Sequence, residues 1–181
     1  MSSFFRSWGA LCLVGLAGCS SPGTTTTDAN LLVDTNFDTL AGWLPEAQEA
    51  TLTREKAHSG SYALKVDATH DYSLGYRAPL GRLHETRINK IKVAAWTFVP
   101  AGGSASLVVA VTNPTAPNDK PLLWDALELG KSKELGKWVE VSKVLTIPET
   151  ATGTSTLGLY LWRTGGNQPV YIDDLRVTLE P

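Results

Sequence analysis

The chain reads as an all-β domain, a sandwich of about ten short antiparallel strands. Three observations carry that reading. Val, Thr, Tyr and Trp recur, while helix-favouring runs of Ala, Glu, Lys and Leu are scarce. Short stretches alternate apolar and polar residues, as half-buried strands do. Clusters of Gly, Pro and Asn separate these stretches at even spacing. The 181 residues, 43% hydrophobic and 19% charged, suit one core with a short appendage. A net charge of −2 without any basic block excludes a nucleic-acid footprint.

The domain opens at 31–38, a strand running into Asn36-Phe37-Asp38. Gly42-Trp43 follow in a loop, and Pro45 prevents a long helix. Residues 50–54 form a short alternating strand, and His58-Ser59-Gly60 a tight turn. Residues 61–67 alternate cleanly. In 72–77 the alternation puts Tyr72, Leu74 and Tyr76 on one face and Ser73, Gly75 and Arg77 on the other. The longest strand lies within 87–99, and its later part is apolar on both faces, which places it inside a sheet. Residues 104–112 read the same way. A loop with three prolines spans 113–121. The ambiguous run 122–129 is short and bounded by Pro121 and Gly130, so it is a strand. Strands at 138–147, 154–162 and 170–180 complete the set. The first and last are both apolar, so the termini should lie together.

The closing strand carries an oddity, Asp173-Asp174 in the middle of an apolar run. Side chains alternate across a strand, so one carboxylate must face the interior or a sheet edge. A buried carboxylate needs hydrogen-bond donors, a cation or a metal ion. The alternative is a solvated edge strand that uses charge to discourage pairing.

Four pieces in order resemble the carbohydrate-binding modules of the family 4/9/22 type, with a galactose-binding-like jelly roll. They are Asn36-Phe37-Asp38 with Trp43; residues 57–66 around His58-Ser59-Gly60; residues 138–142 with a strand ending at Pro148; and Tyr171-Ile172-Asp173-Asp174-Leu175. The resemblance covers about residues 30–181 and speaks more for fold than for ligand. It implies a structural Ca²⁺ where the opening and closing strands meet. Its ligands would be Asp38, the turn from Lys56 to Ser59, and Asp173 or Asp174, hard oxygens from distant segments. Asp38 stands where the family more often has Glu, and its shorter arm weakens the expectation.

The resemblance also implies a sugar platform, an aromatic ring stacked on a pyranose with polar groups on the hydroxyls. Of six tryptophans, Trp8 falls in the leader. Trp138 and Trp43 are expected to be packing residues. Trp96, Trp124, Tyr160 and Trp162 are the candidates for the platform, with Arg163, Arg77, Asn113 and Gln168 as polar partners. Trp96 shares a phase with Ala94 and Phe98, and Tyr160 and Trp162 share one with Gly158. Either these phases face a concave sheet or they are core.

The first residues read as an address. Arg6 precedes an apolar run, 8–17, too short to span a bilayer. Leu16-Ala17-Gly18-Cys19 resembles the lipobox of bacterial lipoproteins. That implies cleavage after residue 18 and fatty acylation of Cys19, for instance by palmitate. Ser20 following it does not resemble an inner-membrane retention signal, so the expectation is the outer membrane of a cell that has one. Residues 19–29 are then a flexible tether and 30–181 the domain. Cys12 leaves with the leader, so no disulfide is expected. Losing Arg6 alone leaves 15 basic and 18 acidic residues, a charge of −3.

No paired glycosidase carboxylates, nucleophile elbow, metal-binding helix or phosphate loop appears. The expectation is a non-catalytic, membrane-anchored lipoprotein that holds an oligo- or polysaccharide at the cell envelope. Two alternatives stand beside it. One is a structural or adhesive lipoprotein with an envelope protein as partner. The other is a jelly-roll polysaccharide lyase using His70, Tyr72, Tyr76 and Arg77.

Overall fold

A computed structural model describes residues 29–40, 49–116, 118–131 and 134–181. The leader, Cys19, the tether up to residue 28 and Trp43 lie outside the described residues. The expected ten strands are present: β1 (Leu31–Thr35), β2 (Leu52–Thr53), β3 (Ala63–Val66), β4 (Tyr76–Pro79), β5 (Lys90–Phe98), β6 (Gly103–Thr112), β7 (Leu123–Glu128), β8 (Trp138–Thr146), β9 (Thr156–Gly166) and β10 (Val170–Leu179). Single helical turns lie at Asp38–Leu40, Leu80–Leu83 and Leu129–Lys131.

The strands form two antiparallel sheets. The six-stranded sheet runs β2-β3-β10-β5-β8, with β1 also on β10; the four-stranded sheet runs β4-β9-β6-β7. One side of β10 is shared: β3 pairs with residues 170–172 and β1 with residues 175–178. The first and last strands thus lie together, as their apolar character predicts. Strand β5 lies between β10 and β8, and β6 between β9 and β7, so both are interior strands.

Between the sheets the inward phases of β5 (Ile91, Val93, Ala95), β6 (Leu107, Val109, Val111) and β9 (Leu157, Leu159, Leu161) are fully buried. With Val66, Val170, Ile172 and Val177 they make one continuous core. Long-range strand pairing of this kind lets each side chain count twice, once in its sheet and once across the core.

The structure corrects four local expectations. Strand β10 is no edge strand but is paired on both sides, so the edge-charge explanation of Asp173-Asp174 fails. Instead a bulge lies there, with three steps on β10 from Asp173 to Arg176 opposing two on β5 from Trp96 to Ala94. Asp174 takes up the bulge with φ of 46°. Trp138 is not in the core between the sheets; it stands half-buried on the outer face of the six-stranded sheet, edge-on to Phe98.

The third correction concerns 72–77. Leu74 and Tyr76 pack on the core, but Tyr72 faces outward beside Trp162. Regular strand begins only at Tyr76, because Ser73 and Leu74 spend their amides on Leu161 and the Thr51 hydroxyl. The two-residue alternation is broken there, and Tyr72 joins Arg77's face. The fourth concerns Trp96, which lies on the opposite sheet from Trp124, Tyr160 and Trp162.

Candidate functional site

The outer face of the four-stranded sheet is built from register. Arg77, Gly158, Ala110 and Trp124 stand in one row across β4, β9, β6 and β7. The next row holds Tyr160, Val108 and Ala126, and the third Tyr72, Trp162, Ser106 and Glu128. Large rings therefore rise from a floor of small residues. Val108 and Ser106 point away from the core yet are buried, because the neighbouring rings cover them.

The rings form one connected group. Tyr72 lies nearly parallel to Trp162, within 10° at 6.4 Å between centroids, and is tilted against Tyr160 at 6.0 Å. Trp124 meets Trp162 edge-on at 6.2 Å. Tyr72 is 59% exposed and Trp124 51%, the only aromatic residues among the described ones so open to solvent. A shallow cavity of about 520 Å³ runs beside them, lined in part by Trp124, Trp162, Ser106, Glu128 and Thr164. Apolar ring faces beside carboxylate and hydroxyl groups match the two-sided chemistry of a sugar.

The polar groups around this face are fixed by pairs. Glu128 binds Lys131 at 2.5 Å, and Lys143 reaches Asp125 at 2.6 Å. The Lys143 ammonium holds the Asp125 carboxyl below its usual range and ties β7 to β8 across the sandwich edge. Arg163 donates to Asp71 at 2.7 Å and to the Gly166 carbonyl at 2.9 Å. It anchors the loop that presents Tyr72. Asn113 is spent on its own turn, accepting from the Thr115 amide and hydroxyl. Gln168 is exposed beside Gly102, in the turn between β9 and β10.

Trp96 has other company. His58 stacks on it at 3.8 Å and 12°, and meets Trp138 edge-on. Lys56 lies 4.5 Å over the Phe98 ring. These rings are covered by the segment leading into the 58–62 turn and serve to dock it.

The same turn gathers the three carboxylates expected to hold calcium. Asp38 Oδ1 accepts the amides of Ser61 (2.8 Å) and Tyr62 (3.0 Å), and Oδ2 accepts from the Asn36 amide nitrogen (3.0 Å). Asp173 is fully buried. Its Oδ2 accepts the amides of His58 (2.7 Å) and Ser59 (3.1 Å), and its Oδ1 that of Asp174 (2.7 Å). Burial pushes the Asp173 carboxyl up, against the pull of those amides, and the Asp174 charge adds to the rise. Asp174 meets His58 Nδ1 and the Ser59 hydroxyl, each at 2.5 Å. N–H and O–H groups thus occupy these oxygens, and no three of His, Cys, Asp or Glu gather as a metal-ligating group among the described residues. As arranged, the donor set fits a hydrogen-bonded clamp rather than a cation cage.

The lyase constellation does not assemble. His70 is bound to Asp67 beside β3, and Tyr76 faces the core, where burial raises its pKa. Only Tyr72 and Arg77 share the outer face. A second cavity, of about 540 Å³, is lined mainly by apolar residues such as Val33, Phe37, Leu159 and Ile172, with Asp34, Thr35 and Thr39 among its polar groups.

Sequence reasoning missed Tyr72 as a platform ring and Ser106 and Val108 as floor. Tyr72 was hidden by the broken alternation. Strand β6 is apolar on both faces, so its pattern carries no sign of which face the rings cover.

No protein-family model matches the chain, and no curated protein does. Solved structures do. A family 16 carbohydrate-binding module superposes with a TM-score of 0.55 at 15% identity, covering 82% of this chain and 99% of that one. The C-terminal family 22 module of Clostridium thermocellum Xyn10B gives 0.54 at 13% identity, covering 84% and 95%. The xylan-binding CBM22-2 domain of Paenibacillus barcinonensis Xyn10C gives 0.52 at 14%, covering 82% and 99%. The chain has the β-sandwich jelly-roll fold of the carbohydrate-binding modules.

Proposed function

We propose that this protein is a non-catalytic carbohydrate-binding protein that lays a glycan chain across the outer face of its four-stranded sheet. The connected group Tyr72, Tyr160, Trp162 and Trp124 over a small-residue floor carries the reading. Trp124 and Trp162 stack on sugar rings; the exposed Glu128 and Thr164 meet hydroxyls. The separation of His70 and Tyr76 from Tyr72 and Arg77 favours binding over lyase chemistry, since acid–base work needs side chains within hydrogen-bond reach. Among structural neighbours, domains described as xylan-binding share the fold, which supports a polysaccharide partner.

The test is a glycan array on the domain from residue 30 onward, with Trp124→Ala, Trp162→Ala and Trp96→Ala alongside. Loss of one stacking ring should weaken binding by about tenfold, roughly 1.4 kcal/mol. Trp96→Ala, on the other sheet, should leave affinity unchanged in folded protein. Binding lost only with Trp96→Ala would move the site to the six-stranded sheet. An array without any bound glycan would favour an envelope protein as partner.

The anchor belongs to the same proposal. The lipobox-like Leu16-Ala17-Gly18-Cys19 supports acylation of Cys19 and attachment to the cell envelope, at the outer membrane of a cell that has one. Cys19→Ser should move the protein from the membrane to the soluble fraction. An unchanged distribution counts against the anchor.

A further inference from the structure

The charges on the outer face of the four-stranded sheet and along its rim do not cancel. Glu128 is paired with Lys131, Asp125 with Lys143, and Asp71 with Arg163. Arg77 is exposed, and among the described residues it makes no hydrogen bond, ion pair or ring contact. It stands on β4 in the row that ends at Trp124, and the two positions between them are Gly158 and Ala110. No bulky side chain rises from that row between guanidinium and indole. Three strand spacings separate the ends, about 14 Å.

From this geometry we propose that the glycan is acidic, with a uronate carboxylate received by Arg77 while a neighbouring sugar ring stacks on Trp124. The inference rests on the glycan reading above and deepens it. A guanidinium offers paired N–H donors in the plane that a carboxylate accepts, which a hydroxyl does not match. An exposed pair of this kind adds modest affinity, but a neutral glycan would forgo all of it. The slot between Arg77 and Trp124 also fixes orientation, because only one end of it is cationic.

The experiment measures binding of the full chain to polygalacturonate, alginate and glucuronoxylan, each beside its carboxyl-reduced form. At least one acidic polymer should bind about fivefold more tightly than its reduced form at low salt, with the advantage fading toward about 1 M salt. Arg77→Gln should bring the acidic form down to its reduced counterpart. Arg77→Lys should keep part of the advantage, since charge survives while paired donation does not. If acidic and reduced forms bind alike, this inference falls and glycan binding stands. If no polymer of either kind binds, while the protein melts cooperatively, the glycan reading itself falls. If Arg77→Gln leaves the acidic preference intact, the carboxylate is read elsewhere and the assignment of Arg77 is overturned.

Discussion

Gly60 shows how much one residue can decide. Its φ is +57°, and a Cβ built there would lie 1.6 Å from Asp38 Oδ2. The Asp38 carboxylate therefore occupies the space that any other side chain would claim, and from there it receives the amides of Ser61 and Tyr62. Gly60→Ala must adopt an unfavourable backbone and displace that carboxylate, at a cost of at least about 2 kcal/mol. Because both changes break the same contact, Gly60→Ala and Asp38→Ala should be clearly non-additive in urea unfolding. Strict additivity would show that the glycine acts through backbone freedom alone. Asp173 is the more costly position. Asp173→Ala leaves the His58, Ser59 and Asp174 amides without their acceptor, a loss of about 3 kcal/mol or more. A domain of this size loses roughly 2–4 °C per kcal/mol, so a fall near 10 °C is expected in thermal melts. Asp173→Asn retains one acceptor oxygen and should fall between. These carboxylates stood out in the sequence, because two adjacent aspartates in an apolar run need a physical reason. Their partners were not visible, since donors more than a hundred residues away meet them only in the folded chain.

At the scale of elements, β3 and β10 are joined on their outer faces by a charged network. Lys65 binds Glu55 at 2.8 Å and Asp67 at 3.2 Å, and the Tyr171 hydroxyl donates to Glu55. The Lys65 hydrogen bond, with help from Tyr171, lowers Glu55. Burial opposes ionisation of Asp67, but Thr69, Lys65 and His70 outweigh it, so its carboxyl lies far below the usual range. Asp125 is lowered by Lys143 on the other edge. A carboxyl that is more acidic in the folded chain contributes stability above its unfolded value, and that contribution drains away as pH falls toward its folded value. Asp173, raised by burial, acts with the opposite sign. Three lowered groups against one raised group predict a urea midpoint that drops as pH falls below about 4. Lys65→Met should flatten that dependence, and a midpoint unchanged between neutral pH and pH 3 would contradict the network's role. The strands themselves were legible where two-residue alternation was intact, as in β3 and the first half of β5. Alternation failed at Tyr72 because Ser73 and Leu74 bond to neighbours outside any ladder, and a pattern of period two cannot register such a break.

For the molecule as a whole, the sandwich was readable because ten strand signals with turns between them leave few other arrangements. The site was half readable for a related reason. Phase within a strand predicted that Tyr160 and Trp162 act together, but not that Trp96 belongs to the other sheet, since phase says nothing about which sheet a strand joins. The clamp at the 58–62 turn is where the whole chain closes, because Asp38 follows β1 and Asp173 lies in β10. Calcium there is carried by the resemblance to carbohydrate-binding modules, whereas the oxygens are met by amide, imidazole and hydroxyl donors. A cation would have to displace several of those bonds, and its net gain would be the difference between two well-paired states. Melting temperature should accordingly differ by no more than about 2 °C between millimolar calcium and chelator, because a ligand stabilises only in proportion to its binding to the folded chain. Asp174→Asn, which weakens the pairing with His58 and Ser59 without opening the core, should then lower stability equally in both conditions. A rise of many degrees in calcium, abolished by Asp174→Asn, would instead make the clamp a metal site and restore the ligand set that the resemblance implies.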